Sequence, residues 1–187
     1  LAFALAAKDA LANIFGGIVI IMEKPFLIGD WIAIPGVEGV VENISFRSTK
    51  IRSFSQALIT IPNSTLAGEA ITNHSRMGKR RISFYLGLTY NTPKSKVEDC
   101  VKRIKQMLAE HPGIHPETIL VSFEIFNESS LDIFIYCFTN TTIWSEYLEV
   151  KQDVNLTIMA ILEEERISIA FPSRSIYLEN VNPGKEK

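Results

Sequence analysis

The feature that most constrains the fold is the apolar stretch at the amino terminus, LAFALAAKDALANIFGGIVIIM over residues 1–22. It contains one adjacent charge pair, Lys8 and Asp9, one amide, Asn13, and one glycine pair, Gly16 and Gly17. A membrane-spanning helix needs about 20 uninterrupted apolar residues, so this stretch is not an ordinary span. A signal peptide would need a cationic start and a small-residue cleavage site, and neither fits here.

The residue pattern divides this stretch into a helix and a strand. Residues 1–15 are rich in alanine, the best helix former, and they predict a helix. Beyond the glycine pair, the β-branched run at residues 18–22 predicts a strand. Small side chains let helices approach closely, as membrane and oligomeric interfaces require. From this segment alone, such an interface and simple packing of the helix on its own domain both stay open.

Composition excludes bulk disorder and a general binder of polyanions. The 187 residues are 47% hydrophobic and 21% charged, enough for one large or two small units with a core. The formal net charge of −2 argues against a polyanion binder. Cys100 and Cys137 are the two cysteines and cannot make a disulfide framework, which favours a reducing compartment.

Short strands separated by turn residues dominate residues 18–77. Proline, glycine and asparagine interrupt the apolar runs where tight turns are needed. A strand about every ten residues predicts a small antiparallel barrel or sandwich. Besides residues 18–22, the predicted strands are 31–34, 40–46, 49–54, 58–61 and 70–73.

The pattern changes after the basic run at residues 76–81. Helical spacing of apolar residues appears twice, in a helix that opens at Pro93 and in a second helix over residues 144–166. The order strand, helix, strand, strand, helix, strand predicts a ferredoxin-like α+β sandwich. The predicted strands of this region are 82–88, 118–126, 131–139 and 176–178.

No motif for catalysis, metal binding or cofactor binding is present in the sequence. His111 and His115 are four residues apart, but each precedes a proline, so HPGIHP predicts a loop rather than a metal-binding helix. A glycine-rich phosphate loop and a nucleophile motif are both missing. We therefore expect a protein that is not an enzyme and needs no metal or cofactor.

The only dense basic patch is the Gly-Lys-Arg-Arg run at residues 78–81. The following Ser83, Phe84 and Tyr85 bear a weak likeness to an RNA-binding strand, but the full aromatic signature is missing. A basic linker beside a membrane is the stronger interpretation, and we expect no nucleic acid as a partner. A soluble oligomeric RNA-binding or scaffold protein stays the alternative.

Several strings taken together resemble the small-conductance mechanosensitive channel (MscS-like) family. Their order and spacing make the joint signal specific, and the resemblance covers nearly the whole chain. The strings are ALANIFGG at 10–17, KPFLIGDWI at 24–32, GVEGVVENISFRSTKIRSF at 36–54, IPNSTL at 61–66 and ISIAFPSRSIYLEN at 167–180.

The resemblance implies an α+β membrane protein fragment with four parts, preceded by segments upstream of Leu1. Residues 1–17 correspond to the cytoplasmic half of a pore-lining transmembrane helix, and residues 18–77 to a small all-β domain of the Sm-like barrel type. Residues 78–171 correspond to the ferredoxin-like αβ domain. Residues 172–187 correspond to a carboxyl-terminal strand, which joins a β-barrel shared between subunits, and a tail.

The same resemblance implies a function. The family suggests a homoheptameric, multi-pass channel of the cell inner membrane with its carboxyl-terminal domains in the cytoplasm. Membrane tension would open it, and it would release ions and small osmolytes on hypo-osmotic shock. Its partners would be its own copies, the lipid bilayer and the permeating solutes.

The resemblance assigns roles in the pore helix to three pairs of residues. Leu1 and Leu5 align with the pore-sealing leucines, and two apolar rings about 6 Å apart form a constriction that water leaves. Lys8 and Asp9 follow at the cytoplasmic end of the pore helix, where Asp9 replaces a flexible glycine of the family. Gly16 and Gly17 correspond to a helix kink.

Overall fold

The computed structural model describes residues 2–174, and it describes side chains from Ala7 onward. The chain divides into two compact units, residues 1–78 and 79–187. Among the described residues, no helix combines the length and the apolar composition that crossing a membrane requires.

Helix α1 runs without interruption from Ala2 to Glu23. The strand predicted at residues 18–22 is therefore wrong, because these residues form the last turns of α1. The physical reason is tertiary packing: Gly16, Gly17 and Ile20 fall on one helical face, and all three are buried in the first unit. Burial of that face outweighs the β propensity of the neighbouring isoleucines and valine.

The first unit is an antiparallel sheet with α1 packed on it. Within residues 2–78, five strands form the sheet in the order β4-β3-β2-β1-β5, so the predicted antiparallel arrangement is confirmed. The predicted strand 70–73 is shorter than expected. The strands are β1 (Trp31–Ile34), β2 (Val37–Ile44), β3 (Ser48–Arg52), β4 (Leu58–Pro62) and β5 (Thr72–Asn73).

Two short helical elements complete the first unit, and the sequence pattern did not predict either. Helix α2 (Asn63–Gly68) begins directly after β4, and a 3-10 turn (His74–Arg76) follows β5. A helix of one to two turns is too short to show an apolar period. The apolar core that these elements share contains Ile20, Phe26, Ile32, Val41, Ile51, Ile61 and Leu66.

The second unit places two helices against one face of an antiparallel sheet. Its described strands lie in the order β6-β8-β7. The predicted order of the first five elements is confirmed, whereas the predicted strand 176–178 lies outside the described residues. The elements are β6 (Arg80–Leu88), α3 (Lys94–Glu110), β7 (Leu120–Phe126), β8 (Leu131–Thr139) and α4 (Trp144–Glu164).

The core of the second unit lies between the sheet and the two helices. The predicted apolar face of α3 is present, with Val97, Ile104 and Leu108 buried. Cys100 and Cys137 are buried in the same core. Burial raises the pKa of each thiol to about 11, so both cysteines stay protonated and unreactive at neutral pH.

Candidate functional site

The predicted pore residues lie along α1, but the structure describes only some of them. Leu1 lies outside the described residues, and Leu5 lies in α1 with its side chain outside them. Lys8 and Asp9 are exposed on the helix surface. The roles of these four residues stay predictions.

Gly16 and Gly17 are the points where α1 comes closest to the rest of the first unit. A Cβ atom on Gly16 would lie 2.7 Å from the carbonyl oxygen of Asn63 and 2.9 Å from the backbone nitrogen of Ser64. A Cβ atom on Gly17 would lie 2.7 Å from the carbonyl oxygen of Phe46. Only glycine permits this approach of backbone to backbone. The helix continues through both glycines, and the predicted kink stays a prediction.

Asn13 provides a polar contact on the same face of α1. Its Oδ1 atom accepts hydrogen bonds from the backbone N–H of Ser64 at 3.0 Å and from the Ser64 hydroxyl at 2.7 Å. Its Nδ2 atom donates to the carbonyl oxygen of Asp9 at 2.9 Å. The residue before α2 is Pro62, which gives the helix no side-chain cap. Asn13 of α1 therefore accepts a hydrogen bond from a first-turn N–H of α2, the role that an N-cap side chain normally has.

Asn63, the first residue of α2, continues this polar contact into the sheet. Its side chain is fully buried, and its Oδ1 atom accepts from the Thr49 hydroxyl at 2.9 Å. Its Nδ2 atom donates to the carbonyl oxygen of Ser45 at 2.7 Å, and its backbone N–H donates to Arg47 at 3.0 Å. A buried amide with all its groups paired specifies one arrangement of the elements around it. These bonds fix α2 to the β2–β3 hairpin.

We call the set Asn13, Gly16, Gly17, Asn63 and Ser64 the helix junction. It links α1 through α2 to the hairpin, and its close approach and hydrogen bonds make the link specific. The sequence carried a partial signal for it, because residue 13 is an amide and residues 16 and 17 are glycines in a mostly apolar helix. Its partners, Asn63 and Ser64, lie in the IPNSTL string of the family resemblance, but nothing in that string indicated a contact with a residue 51 positions away.

The loop after α1 is held by a second set of polar contacts. Arg76 donates to the carbonyl oxygen of Lys24 at 2.7 Å, and Asn73 donates to Asp30 at 2.8 Å. Burial of Asp30 opposes its ionisation, but hydrogen bonds from Asn73 and the Leu27 backbone, with the charge of Arg76, hold the pKa of Asp30 below its ordinary value. The end of α1 is therefore fixed at its loop as well as at the helix junction.

Most of the remaining surface of α1 is apolar and exposed. Isolated exposed apolar residues are normal, but a continuous set on one helix indicates a surface that another protein or lipid covers. The exposed side chains are Leu11, Ile14, Phe15, Ile18, Val19, Ile21 and Met22.

His111 and His115 lie in a loop, as predicted. His111 Nε2 lies 2.9 Å from Asp153 Oδ2, and His111 Nδ1 accepts from the backbone N–H of Gly113 at 3.0 Å. Over residues 2–174, no group of three or more His, Cys, Asp and Glu side chains is arranged to hold a metal ion.

The basic run at residues 78–81 is divided between surface and core. Arg80 is buried, with its guanidinium 4.7 Å from the ring centre of Trp144 and 5.4 Å from that of Tyr147. Lys79 forms an ion pair with Glu117 at 2.8 Å, which lowers the pKa of Glu117. Arg80 therefore serves packing and is not available to bind phosphate.

Comparison with models of protein families gives two matches that follow one another along the chain. Residues 9–76 match the model described as "Mechanosensitive ion channel, beta-domain". Residues 82–169 match the model described as "Mechanosensitive ion channel MscS, C-terminal". Both models describe parts of ion channels, which confirms the prediction that the chain is not an enzyme.

Curated relatives match over almost the whole chain. The uncharacterized MscS family protein YhdY of Bacillus subtilis is 46% identical over 179 residues, which are 96% of this chain and 48% of YhdY. The low conductance mechanosensitive channel YnaI of Escherichia coli is 41% identical over 189 residues, covering 100% of this chain and 55% of YnaI. The chain thus spans about half the length of these relatives.

A solved structure extends the likeness to three dimensions. The crystal structure of Helicobacter pylori MscS in its closed state superposes with a TM-score of 0.80 at 30% sequence identity. The match covers 96% of this chain and 69% of the H. pylori chain. The chain therefore belongs to the MscS family of mechanosensitive ion channels.

Proposed function

We propose that this chain is part of a channel subunit that opens when membrane tension rises. Seven copies surround one axis in the cell inner membrane, and the two described units lie in the cytoplasm. The open channel releases ions and small osmolytes on hypo-osmotic shock. The family membership supports this proposal, as does the name of YnaI, a low conductance mechanosensitive channel.

In this proposal, residues 1–17 form the cytoplasmic half of the pore helix. Leu1 and Leu5 from each copy form two apolar rings, and the constriction between them loses water and blocks ions. Lys8 and Asp9 lie beyond the rings, where their charges pair between copies or contact water. An unpaired charge deeper in the bilayer would cost about 2.5–3.5 kcal/mol on insertion scales, which favours this position.

The helix junction is the observation that carries the proposal. Membrane tension acts on the lipid-embedded part of a channel. A movement of the pore helix can therefore reach the cytoplasmic units only if a rigid connection joins the two parts. Asn13 and the glycine pair give α1 such a connection to α2 and the β2–β3 hairpin. An outward tilt of α1 would therefore either move the first unit with it or break the two hydrogen bonds on Asn13.

The apolar surface of α1 supports a membrane-bound oligomer. Leu11, Phe15, Ile18 and Met22 are exposed in the isolated chain, which is costly in water. Neighbouring copies and lipid would cover these side chains around a shared axis. By contrast, burial of Arg80 removes one of the cations on which the soluble RNA-binding alternative depended.

The finer features of the fold belong to the same proposal. The antiparallel sheet within residues 18–77, strands β1 to β5, closes as an Sm-like barrel, and residues 78–171 form the ferredoxin-like domain. Residues 172–187 add a strand to a β-barrel that all copies share. Gly16 and Gly17 mark the kink at which the pore helix changes direction.

Patch-clamp recording tests the proposed function directly. The full-length protein, reconstituted in liposomes, is expected to give stretch-activated currents whose open probability rises with suction. Liposomes without protein serve as the control, and the particle mass in detergent reports the number of copies. Silence at every suction up to rupture, from a protein of heptameric mass, would exclude the tension-gated channel.

A further inference from the structure

The sheet of the second unit has two edges that differ in chemistry. Within the described residues, β7 forms one edge and β6 lies toward the other. An open groove lies beside β7, and an extended apolar segment lies beside β6. Both features lie on the face of the sheet that carries the helices.

The groove lies between β7 and the first turns of α3, and we call it the β7 groove. Its volume is about 750 Å³. Phe123 and Phe126 form one wall, with their ring centres 4.8 Å apart, and Val97 and Val101 form the other wall. The β7 register shifts between Phe123 and Ile125, and Phe126 is left 73% exposed. The groove is therefore a largely apolar surface that the described part of its own unit leaves uncovered.

The segment comprises residues 166–174, and we call it the Phe171 segment. Arg166 is a turn residue with a φ of 53°, and over residues 167–174 the chain is neither helix nor turn. The Thr89 N–H donates to the carbonyl oxygen of Ser168 at 3.1 Å, and the Ala170 N–H donates to Gly87 at 2.9 Å. Because these groups point at β6, the backbone N–H and C=O of Ile169 point away from the sheet. Among residues 2–174, nothing pairs with this outer edge of the segment at Ile169, and Phe171 beside it is 77% exposed.

The exposed side chains of the segment lie on the same sheet face as the groove. Ile169 pairs with Leu88, whose side chain is buried under the helices. Alternate residues of a strand share a face, so Phe171 lies on the helix side with Ile169. Both side chains line a depression next to Met159 and Leu162 of α4.

The two edges also carry opposite charge. Residues 166–174 contain Arg166 and Arg174 and no acidic residue. Residues 120–130, which form β7 and the turn after it, contain Glu124 and Glu128 and no basic residue. Glu124 accepts a hydrogen bond from Tyr85, and on the α3 side of the groove Lys94 pairs with Glu98. Of these three acidic residues, Glu128 is the one whose carboxylate has no such partner within residues 2–174. Contact between the two segments would therefore be favoured electrostatically as well as by apolar burial.

We propose that the Phe171 segment of one copy binds the β7 groove of the next copy. The segment adds as a strand beside β7, and Phe171 enters the groove between the Phe126 ring and the side chain of Val101. Because the contact joins two different surfaces at opposite sheet edges, it is heterologous and repeats around a ring. This inference rests on the proposed function, since it assigns one interface of the proposed heptamer.

Site-specific photocrosslinking tests this contact in the full-length protein. The crosslinking amino acid p-benzoyl-phenylalanine replaces Phe171 and keeps an aromatic ring at that position. Ultraviolet light is expected to give a covalent dimer, with the adduct mapped by mass spectrometry to residues 90–101 or 120–131 of the other copy. The matched control carries the same probe at Phe46, which is also 77% exposed, and is expected to give no adduct there.

A pair of variants in β7 tests whether the crosslink depends on the groove or on any change in this strand. Phe126→Ser is expected to abolish most of the crosslink, because it removes one wall of the groove. Leu120→Ser serves as the control, since Leu120 is 52% exposed on the opposite face of the same strand, and it is expected to retain the crosslink.

The outcomes distinguish this contact from the proposed function. An adduct outside the β7 groove, or none, in a protein that keeps its heptameric mass and its currents overturns the contact alone. A monomeric protein without stretch-activated currents overturns both. Equal loss of the crosslink in the Phe126 and Leu120 variants also contradicts the contact.

Discussion

Asn13 and Ser64 are joined by two hydrogen bonds that share one acceptor atom. The Oδ1 atom of Asn13 lies 3.0 Å from the backbone nitrogen and 2.7 Å from the hydroxyl oxygen of Ser64. Asn13 lies in α1, and Ser64 is the second residue of α2. The pair therefore joins α1, which is proposed to line the pore, to α2, which is bonded to the β2–β3 hairpin. Any relative movement of the two helices has to stretch or break these bonds.

The first prediction concerns the acceptor on Asn13. Asn13→Ala removes it and leaves the first-turn N–H of α2 without a partner, which costs about 1–2 kcal/mol. We expect faster hydrogen exchange at the Ser64 amide and a changed tension threshold in patch recordings. Asn13→Asp is the control, because it keeps an acceptor oxygen in place and should restore slow exchange. Unchanged exchange in Asn13→Ala would show that the bond contributes nothing.

The second prediction concerns the glycine pair. Gly16→Ala places a Cβ atom 2.7 Å from a backbone oxygen of Asn63, so α1 has to move away from α2. We expect the thermal midpoint to fall by the equivalent of about 1–3 kcal/mol, as for an overpacked core. Gly68→Ala is the matched control, since its Cβ meets no atom within 4 Å, and it should be neutral or slightly stabilising. Equal midpoints for the two variants would contradict the close approach.

Local sequence patterns predicted most of the strands and both helices of the second unit. The apolar run of β8 and the helical period of α3 are each contained within one element, so they can be read without knowing what the element contacts. The strand predicted at residues 18–22 failed for the opposite reason. The helix there depends on burial of Ile20 and on the close approach of Gly16 to Asn63, which is 47 positions away in the sequence. A local sequence pattern contains no information on such distant contacts.

The site was predictable only in part. Sequence reasoning identified Gly16 and Gly17 from the family resemblance, and it noticed Asn13 only as an amide in an apolar segment. Asn63 and Ser64 lie in the IPNSTL string of the resemblance, but their contact with α1 was not predicted, because an Asn-Ser pair after a proline is also typical of turns. Their role follows from the helix α2, which is too short to have an apolar period.

The third prediction concerns the two buried cysteines. Burial raises the pKa of Cys100 and Cys137 to about 11 in the folded chain, from the ordinary value of 9.0. Between these values the unfolded thiols lose protons that the folded ones keep, so the free energy of unfolding falls as the pH rises from about 9 to 11. A maleimide reagent at pH 8 should label the native protein very slowly and the denatured protein quickly. Ser95→Cys, at an exposed position of α3, is the control for an accessible thiol.

The fourth prediction concerns the charges next to the proposed gate. If Lys8 and Asp9 line the pore, Lys8→Gln and Asp9→Gly should shift the reversal potential measured in asymmetric salt, in opposite directions. The reason is that a fixed charge at a narrow passage favours ions of the opposite sign. Lys102→Gln, an exposed position of α3, is the control for a general change in net charge. Identical reversal potentials and thresholds in all three variants would remove both residues from the pore.

The last prediction concerns the proposed gate itself. Leu5→Ser places a hydroxyl on each copy at the inner apolar ring, where it should hold water in the constriction and lower the cost of wetting it. We expect the channel to open at a lower tension and the cells that express it to grow more slowly. Leu11→Ser is the matched control, since Leu11 lies in the same helix with an exposed side chain. This substitution removes the same apolar side chain as Leu5→Ser does. If Leu5→Ser keeps the original threshold, the gate does not lie at Leu5. If both variants lower the threshold equally, the gate does not lie at Leu5 either, and the effect comes from a general weakening of α1.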